Sequence, residues 1–148
     1  MRTIYLDYNA TTPLDARVRE AMQPAFEASW GNPSSVHHVG QSARALLDEA
    51  RERVAATLKC NPSELIFTSG GSESTNLALL GMARQLRSQG RHIITSAVEH
   101  DAVLHPCEYL ANYDGFEVTF LPVDGVGRVS PDAVREAIRP DTVLVSIM

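Results

Sequence analysis

The chain has 148 residues, is 44% hydrophobic and 21% charged, and carries a formal net charge of −5. That length and apolar content suit one domain with a real core, and the mixed charge argues against disorder. The acidic balance lacks the basic face of a nucleic-acid binder, though it leaves room for a phosphate ligand held locally.

Two cysteines, Cys60 and Cys107, lie far apart without C-x-x-C spacing, which argues against a disulfide framework or a zinc site of known spacing. The N-terminus meets Asp7 before any apolar run forms, so no signal peptide is visible, and the densest apolar run, 77–83, is far too short to span a bilayer. A cytoplasmic protein is expected, without membrane contact. Lys59 is the only lysine; the other twelve basic residues are arginines.

In chain order, Tyr5-Leu6-Asp7 reads as a short extended piece. Thr12 before Pro13 is a helix start, a hydroxyl cap and then proline at the first helical position. Val18, Met22 and Phe26 then share a face, and Pro24 is expected to kink or end the helix. The stretch 30–35 is a loop dense in turn formers. The clearest helix runs over about 42–58, with Ala43, Leu46, Leu47, Ala50, Val54 and Leu58 as its apolar stripe. Arg44 with Asp48 and Glu49 with Arg53 are i,i+4 pairs on its wet side. Asn61-Pro62 ends it.

Leu65-Ile66-Phe67 reads as a short strand and 76–86 as a helix. Strands follow at 92–95, 116–121 and 142–148, separated by helices that Asp101 and Ser130-Pro131-Asp132 are expected to cap; the first of these runs through Leu110, and Val134, Ala137 and Ile138 face the core from the second. This alternation predicts an α/β fold, a largely parallel sheet flanked by helices. Ligands in such sheets gather at the carboxyl ends of the strands. The chain stops in or at the end of a buried-looking strand, so residues 1–148 are expected to form a single partial domain of something longer.

The turn between the strand at 65–67 and the next helix, Thr68-Ser69-Gly70-Gly71-Ser72-Glu73, holds two glycines and three hydroxyls. Two readings are open: a capped turn that binds nothing, or an anion cradle made of backbone N–H groups, a helix dipole and serine hydroxyls. His100 follows the next strand beside Glu99, either as a surface histidine at a helix start or as a flat ring able to stack on a ligand. Asp124-Gly125-Val126-Gly127-Arg128 lacks the third glycine of a dinucleotide fingerprint and reads as a plain turn. His37, His38 and His105 lack partners at metal-ligand spacing, and Cys60 and Cys107 lack activating neighbours.

Taken together these motifs resemble the cysteine desulfurases of the class V aminotransferase superfamily, enzymes that depend on pyridoxal 5'-phosphate. The matching segments are Tyr5-Leu6-Asp7-Tyr8-Asn9-Ala10-Thr11-Thr12-Pro13, Gly31-Asn32-Pro33-Ser34-Ser35 with His37, the turn at 67–73 with Asn76-Leu77-Ala78, Glu99-His100, and the final 140–148, all in collinear order. The resemblance implies the N-terminal part of a fold-type-I large domain. Gly71 and Ser72 would hold the cofactor phosphate, Gly70 would shape the turn, His100 would stack on the pyridine ring, and 9–12 would lie near the active site. It further implies a homodimer that converts L-cysteine to L-alanine and passes sulfur as persulfide to an acceptor such as an iron-sulfur scaffold protein.

The family's Schiff-base lysine and nucleophilic cysteine come downstream of Met148, so no catalytic residue is expected within this chain, and the fragment alone is expected to be inactive. Lys59, Cys60 and Cys107 do not occupy those positions. A non-catalytic truncated module, and a selenocysteine lyase or other class V aminotransferase-type enzyme, remain the alternatives.

Overall fold

The computed structural model describes residues 3–148. The chain divides into two compact units, Met1–Ile66 and Phe67–Met148.

The first unit is helical. Helix α1, Ala16–Glu27, starts later than the Thr12-Pro13 pair suggests. Asp15 is the cap, because its carboxylate accepts the Arg17 backbone N–H at 2.8 Å and also pairs with the Arg17 guanidinium, a combination that Thr12 lacks. Pro24 neither ends nor splits this helix, which runs on to Glu27. None of its residues is buried; Val18, Met22 and Phe26 stand exposed.

Helix α2, His38–Leu58, begins four residues ahead of the expected 42 because His37 caps it, Nδ1 accepting from the Gly40 N–H at 3.3 Å. A Cβ on Gly40 would collide with the Ser35 carbonyl, so glycine lets the loop at 31–35 press against the start of the helix. Of the expected stripe only Ala43 is buried, with Leu46 and Leu47 half-buried and Leu58 63% exposed; Ala55, outside that stripe, is the other buried alanine. Lys59 ends α2 in the left-handed conformation, φ 57°, a place glycine usually takes. A single 3₁₀ turn, Pro62–Glu64, follows.

No strand forms at 65–67. A strand exists only by pairing, and the Leu65 carbonyl is taken by the Arg51 side chain at 2.5 Å.

The second unit is the expected α/β layer structure. Helix α3, Gly71–Leu86, leads to strand β1, His92–Ser96. Helix α4, Asp101–Tyr113, leads to β2, Glu117–Leu121; helix α5, Pro131–Ala137, leads to β3, Thr142–Ser146. The order is β2-β1-β3, and β1 pairs parallel with both neighbours. Parallel crossovers are right-handed, so stepping from β1 to β2 and back past β1 to β3 puts α4 and α5 on opposite faces. Helices α3 and α4 pack on one face around Leu79, Ala83, Ile93, Val103, Cys107, Leu110 and Phe116.

Every residue of β1 is buried, including His92, whose ring nitrogens meet Thr142 Oγ1 at 2.7 Å and Thr119 Oγ1 at 2.8 Å. That one ring links all three strands. Ser130 caps α5 as expected, with Ile138 as the C-cap rather than part of its apolar face. The 124–128 segment is indeed a plain turn, in which Asp124 Oδ1 accepts the Val126 and Arg128 amides and Gly127 has φ 82°.

Gly90 lies where a Cβ would strike the Asp141 carbonyl, the group that accepts the His92 N–H at 3.0 Å. Gly81 sits in α3 with open space around it. Gly90→Ala is therefore expected to lower stability by about 1–3 kcal/mol, as overpacking does. Gly81→Ala is expected to raise it by about 0.5–1 kcal/mol, by removing helix-interior glycine entropy. Urea unfolding midpoints of the two variants check both signs.

Candidate functional site

Helix α3 starts at Gly71, five residues before the expected 76, so Gly71 and Ser72 lie in its first turn rather than ahead of it. Local side chains account for this. Glu73 reaches back to accept the Ser69 backbone N–H at 2.7 Å and the Ser69 hydroxyl at 2.6 Å, which holds its carboxyl below the usual carboxylate range. Thr68 Oγ1 and Ser74 Oγ are hydrogen-bonded to each other at 2.6 Å, and each lies 3.2 Å from the Gly70 carbonyl, which accepts from whichever hydroxyl is the acceptor in that pair. The turn is thus laced by its own hydroxyls.

The first N–H groups of a helix have no acceptor within it. Here those of Gly71 and Ser72 stand beside the exposed Ser72 hydroxyl at the positive end of a 16-residue helix. Gly70 is extended, φ 165°, and neither Gly70 nor Gly71 has an atom within 4 Å of where a Cβ would sit. Space above this helix end is open.

His100 caps α4, a role the sequence assigned to Asp101, its neighbour in the first turn. Its Nδ1 accepts the Ala102 N–H at 3.0 Å, which leaves the proton of the neutral ring on Nε2. Its place at the carboxyl end of β1 is the one expected, whereas the Gly70-Gly71 turn follows no strand.

A groove of about 460 Å³ between α3 and α4 brings Ser72 and His100 together. Asn76 and Leu80 continue its α3 wall, and Asp101, His105 and Tyr109 its α4 wall. Gly70 and Gly71 adjoin it through Ser72 without lining it. The walls are i, i+4, i+8 rows, Ser72-Asn76-Leu80 and Asp101-His105-Tyr109, a spacing visible in the sequence but not singled out there.

Glu99 is the residue sequence reasoning left without a role. It is 8% exposed, and its Oε1 accepts both the Ser96 hydroxyl at 2.7 Å and the Met148 amide at 2.6 Å.

A phosphate-bearing cofactor with a flat ring fits this donor set: two backbone amides, a hydroxyl and a helix dipole for the anion, and an imidazole across the groove for the ring. No such chemistry surrounds the cysteines. Burial, with Glu99 and Glu108 adding, pushes the Cys107 thiol up to about 11. Cys60 is half-buried. Mass mapping after treatment with a thiol reagent at pH 8 is expected to find Cys60 labelled in the native protein and Cys107 labelled only after unfolding.

The model of the aminotransferase class-V family matches residues 4–148. The cysteine desulfurase IscS of Dictyoglomus turgidum is 53% identical over 147 residues, which is 99% of this chain and 37% of that protein. Among solved structures, a NifS-like protein superposes with TM-score 0.89 at 42% identity, covering 98% of this chain and 40% of that one. SspA in complex with cysteine superposes with TM-score 0.87 at 43% identity, covering 98% and 42%. The chain thus spans well under half the length of these relatives. Sequence, fold and the collinear motifs agree that this chain belongs to the class V aminotransferase family.

Proposed function

We propose that this chain is the N-terminal part of a pyridoxal-phosphate-dependent cysteine desulfurase, which converts L-cysteine to L-alanine and hands on the sulfur. The observation that carries the reading is the shared groove of Ser72 and His100, in a chain whose relatives include IscS proteins and an SspA solved with cysteine. The 148 residues would make up an N-terminal segment and the first part of the cofactor domain.

In this reading the Gly71 and Ser72 amides and the Ser72 hydroxyl bind the cofactor phosphate. Gly70 leaves the approach open, since no side chain stands there. The α3 dipole supports the double negative charge of the phosphate. Glu73, although in the first turn, is engaged by Ser69 and does not compete for the donors. His100 lies against the ring face, oriented by the Ala102 amide. Bound pyridoxal phosphate supplies an electron sink for carbanion chemistry at the substrate. The groups that make and break bonds would come from elsewhere in the complete protein. We further propose that the complete enzyme is a cytoplasmic homodimer serving an acceptor such as an iron-sulfur scaffold protein.

In the full-length protein, Ser72→Ala is expected to weaken pyridoxal phosphate binding by about tenfold or more, the usual effect of losing a hydrogen bond to a charged group. His100→Ala is expected to shift the visible absorbance of the bound cofactor. Titration of the apo-protein with cofactor reads both changes, and alanine release from L-cysteine reads the activity. Unchanged affinity and spectrum in both variants would remove the site assignment; absence of alanine with intact binding would remove the desulfurase.

A further inference from the structure

The loop that carries His100 leaves the sheet between two neighbouring strands, and each side of it is tied down differently. On the β2 side the tie is backbone: the Ala97 amide donates to the Leu121 carbonyl at 2.9 Å. On the β3 side the ladder runs out. The last β1–β3 partners are Thr95 and Ser146; Ser96, the final residue of β1, pairs only with β2, and the loop follows it. The Met148 amide consequently has no β1 carbonyl opposite it, and although Met148 itself is exposed, the acceptor its amide finds is the buried Glu99 carboxyl. Glu99 Oε1 takes that amide at 2.6 Å, while the same oxygen accepts the Ser96 hydroxyl at 2.7 Å.

We propose that Glu99 is a positioning residue: its carboxyl group stands in for the missing ladder acceptor, clamps the His100 loop to the end of β3, and so sets where the His100 ring lies in the groove. Three facts converge on this. Glu99 is 8% exposed, and burial of such a carboxyl is unfavourable without donors; here its Oε1 holds two of them, the Ser96 hydroxyl and the Met148 amide. Glu99 is covalently next to His100, so any shift of its backbone moves the histidine cap. The cap itself is rigid, with His100 Nδ1 accepting from Ala102 and its carbonyl accepting from Val103 at 2.8 Å. Movement of the loop is therefore passed to the ring without slack.

The consequence for the ring rests on the cofactor reading; the clamp itself does not. The experiment uses the full-length protein with Glu99→Ala, Glu99→Gln and Glu99→Asp, read in two ways. Amide hydrogen exchange at Met148, measured without cofactor, reports the clamp. Affinity and visible absorbance with added pyridoxal phosphate report the ring. Glu99→Ala is expected to speed Met148 exchange by at least about tenfold. It is also expected to weaken cofactor binding severalfold, with an absorbance shift in the direction of His100→Ala. Glu99→Gln keeps an oxygen acceptor in place and is expected to rescue most of both effects. Glu99→Asp, one methylene short, is expected to loosen Met148 and serves as the decisive variant where Glu99→Ala does not fold.

Met148 exchange that stays at the parent rate in Glu99→Ala or Glu99→Asp overturns the clamp. Faster exchange with parental affinity and absorbance overturns the positioning role. A parent protein that takes up no pyridoxal phosphate removes the cofactor reading, while the exchange measurement still decides the clamp.

Discussion

Strand β1 is the constraint on which the second unit depends. Five consecutive residues with no exposed member must have hydrogen-bond partners on both edges and cover on both faces. The edges are met by β2 and β3 in parallel, and parallel pairing in turn requires long crossovers, which α4 and α5 supply. The core side is met by α3 and α4 through Leu79, Ala83, Cys107 and Leu110. Once β1 is placed, its carboxyl end falls beside the α3–α4 groove, and His100 arrives there as the first turn of α4 begins.

What the sequence made legible was the part governed by local chemistry with strong periodicity. The Ser130 cap and the Asp124 turn could be read because each depends on neighbours within four residues, and the strand–helix alternation because each element carries its own apolar pattern. The strand expected at 65–67 could not, since pairing is a tertiary event and the Arg51 guanidinium claims the Leu65 carbonyl from fourteen positions away. Helix starts were misplaced where a histidine caps: His37 and His100 accept backbone amides through Nδ1, a use of imidazole that composition does not advertise. The start of α3 was hidden similarly, by glycines that read as loop until Glu73 and Ser74 are seen bonding back across them.

The candidate site divides along the same line. Ser72 and His100 could be singled out from motif and position, and the structure brings them to one groove. Glu99 could not be understood without coordinates, because its two donors come from three residues before it and forty-nine after it. The twin i, i+4, i+8 rows were present in the sequence, but nothing in either row says which helix it faces. A ligand cleft between helices is an outcome of packing, and only its lip is written locally.

The ring of His92 adds a proton-linked property to this scaffold. Burial, reinforced by the nearby Arg139 guanidinium and opposed by Asp141 and Glu117, holds its pKa below the ordinary value of 6.5. The folded chain therefore refuses a proton that the unfolded chain accepts. Above about pH 6.5 both states leave the ring neutral and the difference vanishes; as pH falls below that value, the unfolded state gains and the sheet loses stability until the lowered native pKa is passed. The threonine–histidine–threonine bridge that joins the three strands is thus also the place where mild acid presses on the fold.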